Sequence, residues 1–196
     1  QQVRPNNSHL HAISVEKFPL TKNDLERALK AWPELAPLAE QLIAQYPLPI
    51  AGCHRLNFPN ERFSLDLWLG DAHDVFPVIP QMHQVHAWFL DGFAPSCNPD
   101  MWEDKVLSHL VRLSDVGTTF ASFSVAGVLK RGLKQHGIEI SRPRGFKHKR
   151  EMLKGIWPAT EDTQKPLATS RRIAVVGAGI AGLSTAWAFA QRGHAV

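Results

Sequence analysis

A chain of 196 residues, 44% hydrophobic and 20% charged, is long enough for one full domain and part of a second, with the composition of a soluble globular protein. No apolar run approaches the ~20 residues of a membrane span, and the opening QQVRPNNSHLHAIS lacks the apolar core of a signal peptide. Cys53 and Cys97 are too few for a disulfide framework and fit a reducing cytoplasm; His83 and His86 lack further ligands at metal spacing, so no metal is expected.

Taken in order, residues 10–16 (LHAISVE) form a short apolar run ending on a carboxylate, a strand feeding a loop. Thr21 caps the next helix, with Asp24 three residues on, and Leu25, Ala28 and Leu29 share its apolar face. Pro37 lies in the first turns of a second helix, whose apolar set is Leu38, Leu42 and Ile43. HRLNF (54–58) and FSLDLWL (63–69) flank Pro59-Asn60-Glu61 as a hairpin that stops at Gly70-Asp71. A short helix over 72–78, a strand over 85–91 and a helix from Pro99 to residue 113 follow. A strand over 118–123, a helix over 125–135 and strands over 138–141 and 151–156 complete the unit. Strands separated by helices predict a largely parallel sheet covered on both faces.

From residue 158 to 170 the composition turns to Thr, Asp, Gln, Lys, Pro and Ser, which reads as a linker. A second unit then opens: a predicted strand over 173–176, Gly177-x-Gly179-x-x-Gly182, and an apolar helix. The first glycine permits the tight turn, the second lets backbone approach a pyrophosphate, and the third permits close helix–strand packing. The helix N-terminus would add amides and positive dipole for the phosphates. The motif does not by itself choose FAD over NAD.

Three carboxylates of the first unit, Glu16, Asp71 and Asp91, each sit at the C-terminal end of a predicted strand, where open α/β sheets bind ligands. One such acid suits a ribose diol, one in a Gly-Asp-Ala loop suits an adenine amine, and the third, in LDGFAP, would face a reacting centre. That is the layout of a methyltransferase that uses S-adenosylmethionine, although the Gly-rich loop expected before these acids is not present. The alternative is that the acids cap loops at strand ends. Charge adds a further feature. Residues 130–154 carry nine Lys/Arg (130, 131, 134, 142, 144, 147, 149, 150, 154) against Glu139 and Glu151, a net +7 that leaves −3 for the rest of a +4 chain. Such a segment suits a polyanionic partner or, equally, a solvated basic face.

VHAWFLDGFAPSCNPDMW (85–102), FASFSVAGVLKRGLKQHGI (120–138), GFKHKREML (145–153), HAISVEKFPLT (11–21) and CHRLNF with LDLWLGD (53–71) resemble the MnmC family of bifunctional tRNA 5-methylaminomethyl-2-thiouridine biosynthesis proteins. The likeness covers essentially the whole chain and runs through the junction into GAGIAGL. It implies an N-terminal domain that methylates an aminomethyl group on the wobble uridine of tRNA. It also implies a C-terminal, FAD-dependent domain that removes a carboxymethyl group from the same amine.

By position, the resemblance implies that Glu16 binds the cofactor ribose, Asp71 the adenine end, and Asp91 the acceptor amine. Phe93 would shape the uridine pocket, or simply anchor its loop. Lys130, Arg131, Lys147, Lys149 and Arg150 would meet tRNA, and Gly177, Gly179 and Gly182 would hold FAD. Trp88 and Trp102 are expected in the core. Where the family tends to read GFGRKREM, this chain has Gly145-Phe-Lys-His-Lys-Arg-Glu-Met152, which keeps the charge and loses a glycine.

The expected organisation is a Rossmann-like methyltransferase domain over residues 1–157 lacking its first strand and Gly-rich loop, a linker over 158–170, and the first strand and helix of an FAD-binding domain over 171–196. The chain does not begin with Met, so sequence upstream of Gln1 is expected. By itself such a fragment is expected to bind S-adenosylmethionine weakly, to hold no FAD and to be inactive. A catalytically dead RNA-binding fragment and a methyltransferase for a non-tRNA substrate are the alternatives.

Overall fold

The computed structural model describes residues 8–80, 85–92, 97–145, 150–158, 173–191 and 196. Phe93, Lys147, Lys149, His83 and most of the expected linker lie outside them. The chain divides into two compact units, residues 1–71 with 168–196, and residues 72–167.

The first unit is built on a three-stranded sheet of β1 (Leu10–Glu16), β2 (Gly52–Phe58) and β3 (Phe63–Leu69), in the order β1-β3-β2. β1 runs parallel to β3 with Glu16 opposite Leu69, and β2 pairs antiparallel with Gly52 opposite Leu69. The hairpin turns through a single 3-10 turn at Pro59–Glu61, and Arg62 takes the left-handed conformation (φ 46°) that returns the chain to β3. Alternation sets the two faces of this sheet. Leu56, Phe58, Leu67 and Leu69 form a buried cluster, against which Leu42, Tyr46, Phe63 and Leu65 pack.

Helix α1 (Lys22–Leu29) starts as expected: the Thr21 hydroxyl accepts the Asp24 N–H at 3.2 Å and donates to its carboxylate at 2.7 Å. Its apolar face is less covered than its pattern predicts, with Leu25 and Leu29 half-buried and Ala28 exposed. In α2 (Ala36–Gln45) the buried contact is Ala39, while Leu38 stays 42% exposed. The inward stripe is therefore Ala39, Leu42 and Tyr46, because the helix starts at Ala36 after a 3-10 turn at Pro33–Leu35 that fixes its rotation.

The opposite face of this sheet carries a polar cluster. Arg55 on β2 and Asp66 on β3 are direct cross-strand partners, and the guanidinium Nε and Nη2 both donate to the Asp66 carboxylate. His11 on β1 reaches the same carboxylate at 3.0 Å. Burial would push the Asp66 carboxyl up, but hydrogen bonds from His11 and Arg55 and the charge of Arg55 hold it well below the usual carboxylate range. One buried acid thus ties all three strands together.

The second unit carries a four-stranded sheet in the order β4-β5-β7-β6: β4 (Val85–Phe89), β5 (Ser114–Ser122), β6 (Glu139–Ser141) and β7 (Leu153–Ile156). β4 and β5 are parallel, with an irregularity between Val85 and Ala87; β5·β7 and β6·β7 are antiparallel. Two of the five strand pairings among the described residues are parallel, so the sheets are mixed rather than largely parallel. Two of the three antiparallel pairs are hairpins, 52–69 and 139–156, whose connections leave no length for a crossover helix, and β7, returning from the second of them, also lies antiparallel to β5.

Helices α3 (Ala72–Val78), α4 (Asp104–Leu113) and α5 (Gly127–Gln135) belong to the second unit. α4 buries Val106, Leu107, Leu110 and Leu113, a helical stripe, and α5 buries Leu129, Gly132 and Leu133. Glu103 adopts an extended conformation, so the run from Pro99 forms a 3-10 turn at Asp100–Trp102 before α4 rather than one helix. Trp102 is buried at 2% exposure, and Trp88 is half-buried with its indole N–H donated to Ser114 at 2.7 Å. Trp102 thus lies in the core as expected, while Trp88 does not reach it. Arg112 on α4 donates to the carbonyls of Phe76 (2.7 Å) and Ile79 (3.2 Å), satisfying the end of α3.

The expected strand over 173–176 does not form. An extended segment becomes a strand only by pairing, and none of the described segments pairs with it; Val176 is 98% exposed. The helix after it, α6 (Ile180–Gln191), does form but buries no residue, although it is largely apolar.

Asp66→Asn removes the charge that Arg55 and His11 share. Loss of charge-assisted hydrogen bonds of this kind should cost roughly 1.5–3 kcal/mol near neutral pH. The folded carboxyl titrates below its unfolded value of about 3.9, so its contribution is present above that pH and is lost as pH falls through the folded range. Urea melts should therefore show a gap between wild type and variant at pH 7 that narrows below about pH 4. A gap independent of pH would contradict this assignment.

Candidate functional site

Parallel pairing of β1 with β3 brings their C-terminal ends to one edge of the first sheet. The Gly70 N–H donates to the Glu16 carbonyl at 3.0 Å, so Glu16 and Asp71 follow neighbouring strand ends, as the sequence predicts. The Asp71 carboxylate is held at 2.7 Å by Lys17, whose ammonium also lies 5.6 Å from the centre of the Phe18 ring. Phe18 is 79% exposed. Tyr46, the only tyrosine of the chain, donates its hydroxyl to the Leu20 carbonyl at 3.1 Å; burial and the charge of Glu16 push its phenol up. Lys17 and Tyr46 are members of this edge that sequence reasoning missed. Lys17 follows the strand-end acid directly and was legible; Tyr46 arrives from the end of α2 and was not.

In the second unit the parallel pair β4·β5 does the same for Asp91. The ladder runs through Phe89 opposite Ala121, and the Leu90 N–H adds a bond to the Ala121 carbonyl at 2.9 Å. Asp91 comes next, exposed, with its own N–H on the Phe89 carbonyl at 2.9 Å. Gly92 backs onto Met101 and Trp102: a Cβ there would lie 3.0 Å from the Met101 side chain and 3.2 Å from the indole. At the matching end of β5, Ser122 and Ser124 are buried and Phe123 is 38% exposed. The sequence reading passed over this Ser-x-Ser, whose signal is one hydroxyl at the end of a strand and a second just beyond it.

The basic residues fall on two elements of the second unit. Lys130, Arg131 and Lys134 lie on α5, with Lys130 half-buried and the other two exposed. Arg131 folds back along its helix, since a Cβ on Gly127 would lie 3.0 Å from its guanidinium. Arg142, Arg144 and Arg150 belong to the β6–β7 connection, which is continued by bonds from Met152 N–H to Pro143 O (3.1 Å) and from Gly145 N–H to Arg150 O (3.3 Å). Arg142 pairs with Glu151 at 3.7 Å, and Arg150 is exposed.

The glycine motif folds locally as its spacing predicts. Gly177 has φ 110°, a conformation that L side chains avoid, and a Cβ on Gly182 would meet the Gly177 carbonyl oxygen at 1.8 Å. A Cβ on Gly179 would meet nothing within 4 Å, which leaves open space at that position. This local turn fits the cradle of a dinucleotide phosphate, with α6 starting behind it. Among the described residues there is no cluster of three or more metal-ligating side chains and no helix long and apolar enough to cross a membrane. Cys53 and Cys97 are not disulfide-linked.

Mixed α/β sheets with the parallel pairs β1·β3 and β4·β5 are those of a Rossmann-like methyltransferase domain. The chain belongs to the S-adenosyl-L-methionine-dependent methyltransferase family, whose family model matches residues 33–158. The resemblance read from the sequence extends over the full chain. It is 73% identical, over 204 residues, to the tRNA 5-methylaminomethyl-2-thiouridine biosynthesis bifunctional protein MnmC of Acinetobacter baylyi, with 100% of this chain and 33% of that protein covered. MnmC of Pseudoalteromonas atlantica is 43% identical over 94% of this chain and 31% of its own length. MnmC of Psychrobacter cryohalolentis is 44% identical over 96% and 30%. The chain thus spans about a third of the length of these curated relatives. A crystal structure titled MNMC2 from Aquifex aeolicus superposes with a TM-score of 0.54 at 22% identity, covering 78% of this chain and 56% of that one, a likeness of fold.

Gly182→Ala sets a Cβ against backbone, so the turn must open, at a cost of about 1–3 kcal/mol for such overpacking. The Leu183 amide, bonded to the Gly179 carbonyl at 2.9 Å, is then expected to exchange at least about tenfold faster by NMR. Unchanged exchange would mean that the close approach of Gly182 to Gly177 is not maintained in solution.

Proposed function

We propose that this chain belongs to an enzyme that methylates the aminomethyl group of a tRNA wobble uridine, giving 5-methylaminomethyl-2-thiouridine from 5-aminomethyl-2-thiouridine. The observation that carries the reading is 73% identity, across the whole chain, to a protein named for biosynthesis of that nucleoside. In this reading residues 1–157 are the methyltransferase domain, 158–170 the linker and 171–196 the opening of an FAD-dependent domain. That second domain would remove the carboxymethyl group from the 5-carboxymethylaminomethyl precursor in the whole protein. The largely apolar α6, none of whose residues is buried, supports this division, since such a helix needs neighbours on every side. A tRNA substrate would suit a cytoplasmic enzyme.

S-adenosylmethionine, when bound, supplies a methyl group carried on a sulfonium. Glu16 would hold its ribose diol and Asp71 its adenine end, the latter in place of the ion pair with Lys17. The acceptor nitrogen must be neutral, close to the methyl carbon, and aimed along its lone pair; most of the acceleration is positioning. Asp91 accepts an N–H hydrogen bond from that amine and so directs the lone pair away from itself. The new N–C bond would replace the methyl–sulfur bond, leaving the cofactor as a neutral thioether, and Asp91 would take the one proton that the amine gives up. Phe93 would border the uridine. Lys130, Arg131, Lys147, Lys149 and Arg150 would meet tRNA phosphates, each contact adding about one to the salt slope of binding. Gly177, Gly179 and Gly182 would hold the pyrophosphate of FAD.

The roles of Glu16 and Asp91 separate in the full-length protein. Asp91→Asn is expected to slow single-turnover methylation of aminomethyl tRNA by roughly 10²–10⁴-fold, with cofactor affinity unchanged. Glu16→Gln is expected to weaken S-adenosylmethionine binding by about tenfold or more, the loss of one charge-assisted hydrogen bond, with the saturated rate preserved. A near-normal rate in a well-folded Asp91→Asn protein removes Asp91 from the reaction.

A further inference from the structure

Asp91 has to present its carboxylate in one direction, yet it stands two residues beyond the end of the β4·β5 ladder at Phe89, on a stretch that carries no further strand pairing. The peptide unit that leads into it is nevertheless held on both sides. The amide side of the Leu90–Asp91 peptide is the Asp91 N–H, which donates to the Phe89 carbonyl at 2.9 Å. The carbonyl side is the Leu90 oxygen, which accepts the Ser122 hydroxyl at 2.9 Å. Two hydrogen bonds to opposite edges of one rigid plane fix its orientation, and with it the place of the Asp91 Cα, leaving rotation about the N–Cα bond to aim Cβ.

Ser122 is itself held in place. It is the last residue of β5 and 4% exposed, and its oxygen accepts the Ser124 N–H at 3.1 Å while its proton goes to Leu90. Ser124, 8% exposed, accepts the Ala126 N–H at 3.4 Å just before α5 begins at Gly127. The chain of bonds therefore runs from the rigid start of α5, through two buried hydroxyls, to the peptide before Asp91. A serine that only filled space here would need no hydroxyl, and alanine would fit.

We propose that Ser122 is a positioning residue for the Asp91 carboxylate: it acts through the Leu90 carbonyl and touches neither amine nor cofactor. The inference rests on the reading of Asp91 given above. Side-chain direction matters because a displacement of about 1 Å at a reacting centre costs on the order of 10²-fold in rate.

The test uses the full-length protein and tRNA in the aminomethyl form. Ser122→Ala should slow single-turnover methylation at saturating cofactor and tRNA by about 10–100-fold, leave S-adenosylmethionine affinity within about threefold, and keep a cooperative melt. Ser122→Thr retains the hydroxyl and should restore the rate to within about threefold of wild type. In an Asp91→Asn background, Ser122→Ala should add little further loss, because the group it positions is already disabled. A wild-type rate for Ser122→Ala overturns the proposal, as does failure of Ser122→Thr to restore activity, or an undiminished further loss in the Asp91→Asn background. If Ser122→Ala does not fold, Ser122→Cys, with its weak donor, takes its place with the same expected and overturning results. A slow Asp91→Asn enzyme beside a fast Ser122→Ala enzyme refutes this inference alone; a fast Asp91→Asn enzyme refutes the reading beneath it.

Discussion

Two strands that run parallel finish at the same edge of their sheet, and whatever residue follows each of them is delivered there. The pairing of β1 with β3 delivers Glu16 and Asp71, and the pairing of β4 with β5 delivers Asp91 together with Ser122 and Ser124. These parallel pairs are a minority of the strand contacts, yet every carboxylate that the methyltransferase reading uses depends on them. The antiparallel partners, β2 in the first sheet and β7 with β6 in the second, cover the far side of each pair and supply apolar surface. In the methyltransferase reading the antiparallel pairings thus serve packing, and the parallel pairs serve the site.

The polar cluster on the first sheet shows how such an edge is kept in register. Asp66 lies in the middle of β3, flanked in sequence by Leu65 and Leu67, and it binds Arg55 and His11 across the two neighbouring strands. A one-residue slip of β1 against β3 would carry His11 to the other face and separate it from the acid. It would also move Glu16 away from Gly70, to whose N–H its carbonyl is bonded. Charge pairing in the sheet and placement of the strand-end acid are therefore linked through register.

Much of this was legible in the sequence because it is local. The strand Leu10–Glu16, the Thr21 cap, the hairpin around Pro59 and the helix Ala72–Val78 each follow from periodicity and turn residues within a few positions. The strand-end carboxylates were legible for the same reason, since Gly70-Asp71 and Asp91-Gly92 mark where strands stop. What sequence did not disclose is non-local. Nothing near Asp66 announces Arg55 and His11 as its partners, and nothing near Asp91 points to Ser122, 31 positions further on. The hairpin around Pro59 was read with its true direction, but the expectation of a largely parallel sheet failed at β7, whose antiparallel pairing with β5 and β6 is not marked by the alternation of its residues. The strand over 173–176 failed for a related reason: its residues favour extension, but pairing requires a neighbour that the described residues do not supply.

The central claim is that the acid after β4 faces the amine that is methylated, while the acid after β1 serves the cofactor. A crystal structure of the full-length protein with S-adenosylhomocysteine and an anticodon stem–loop carrying 5-aminomethyl-2-thiouridine tests both halves at once. The account predicts an Asp91 carboxylate oxygen within about 3.2 Å of the aminomethyl nitrogen and the Glu16 carboxylate on the ribose hydroxyls. An amine held by another group, with Asp91 turned to solvent, would contradict it.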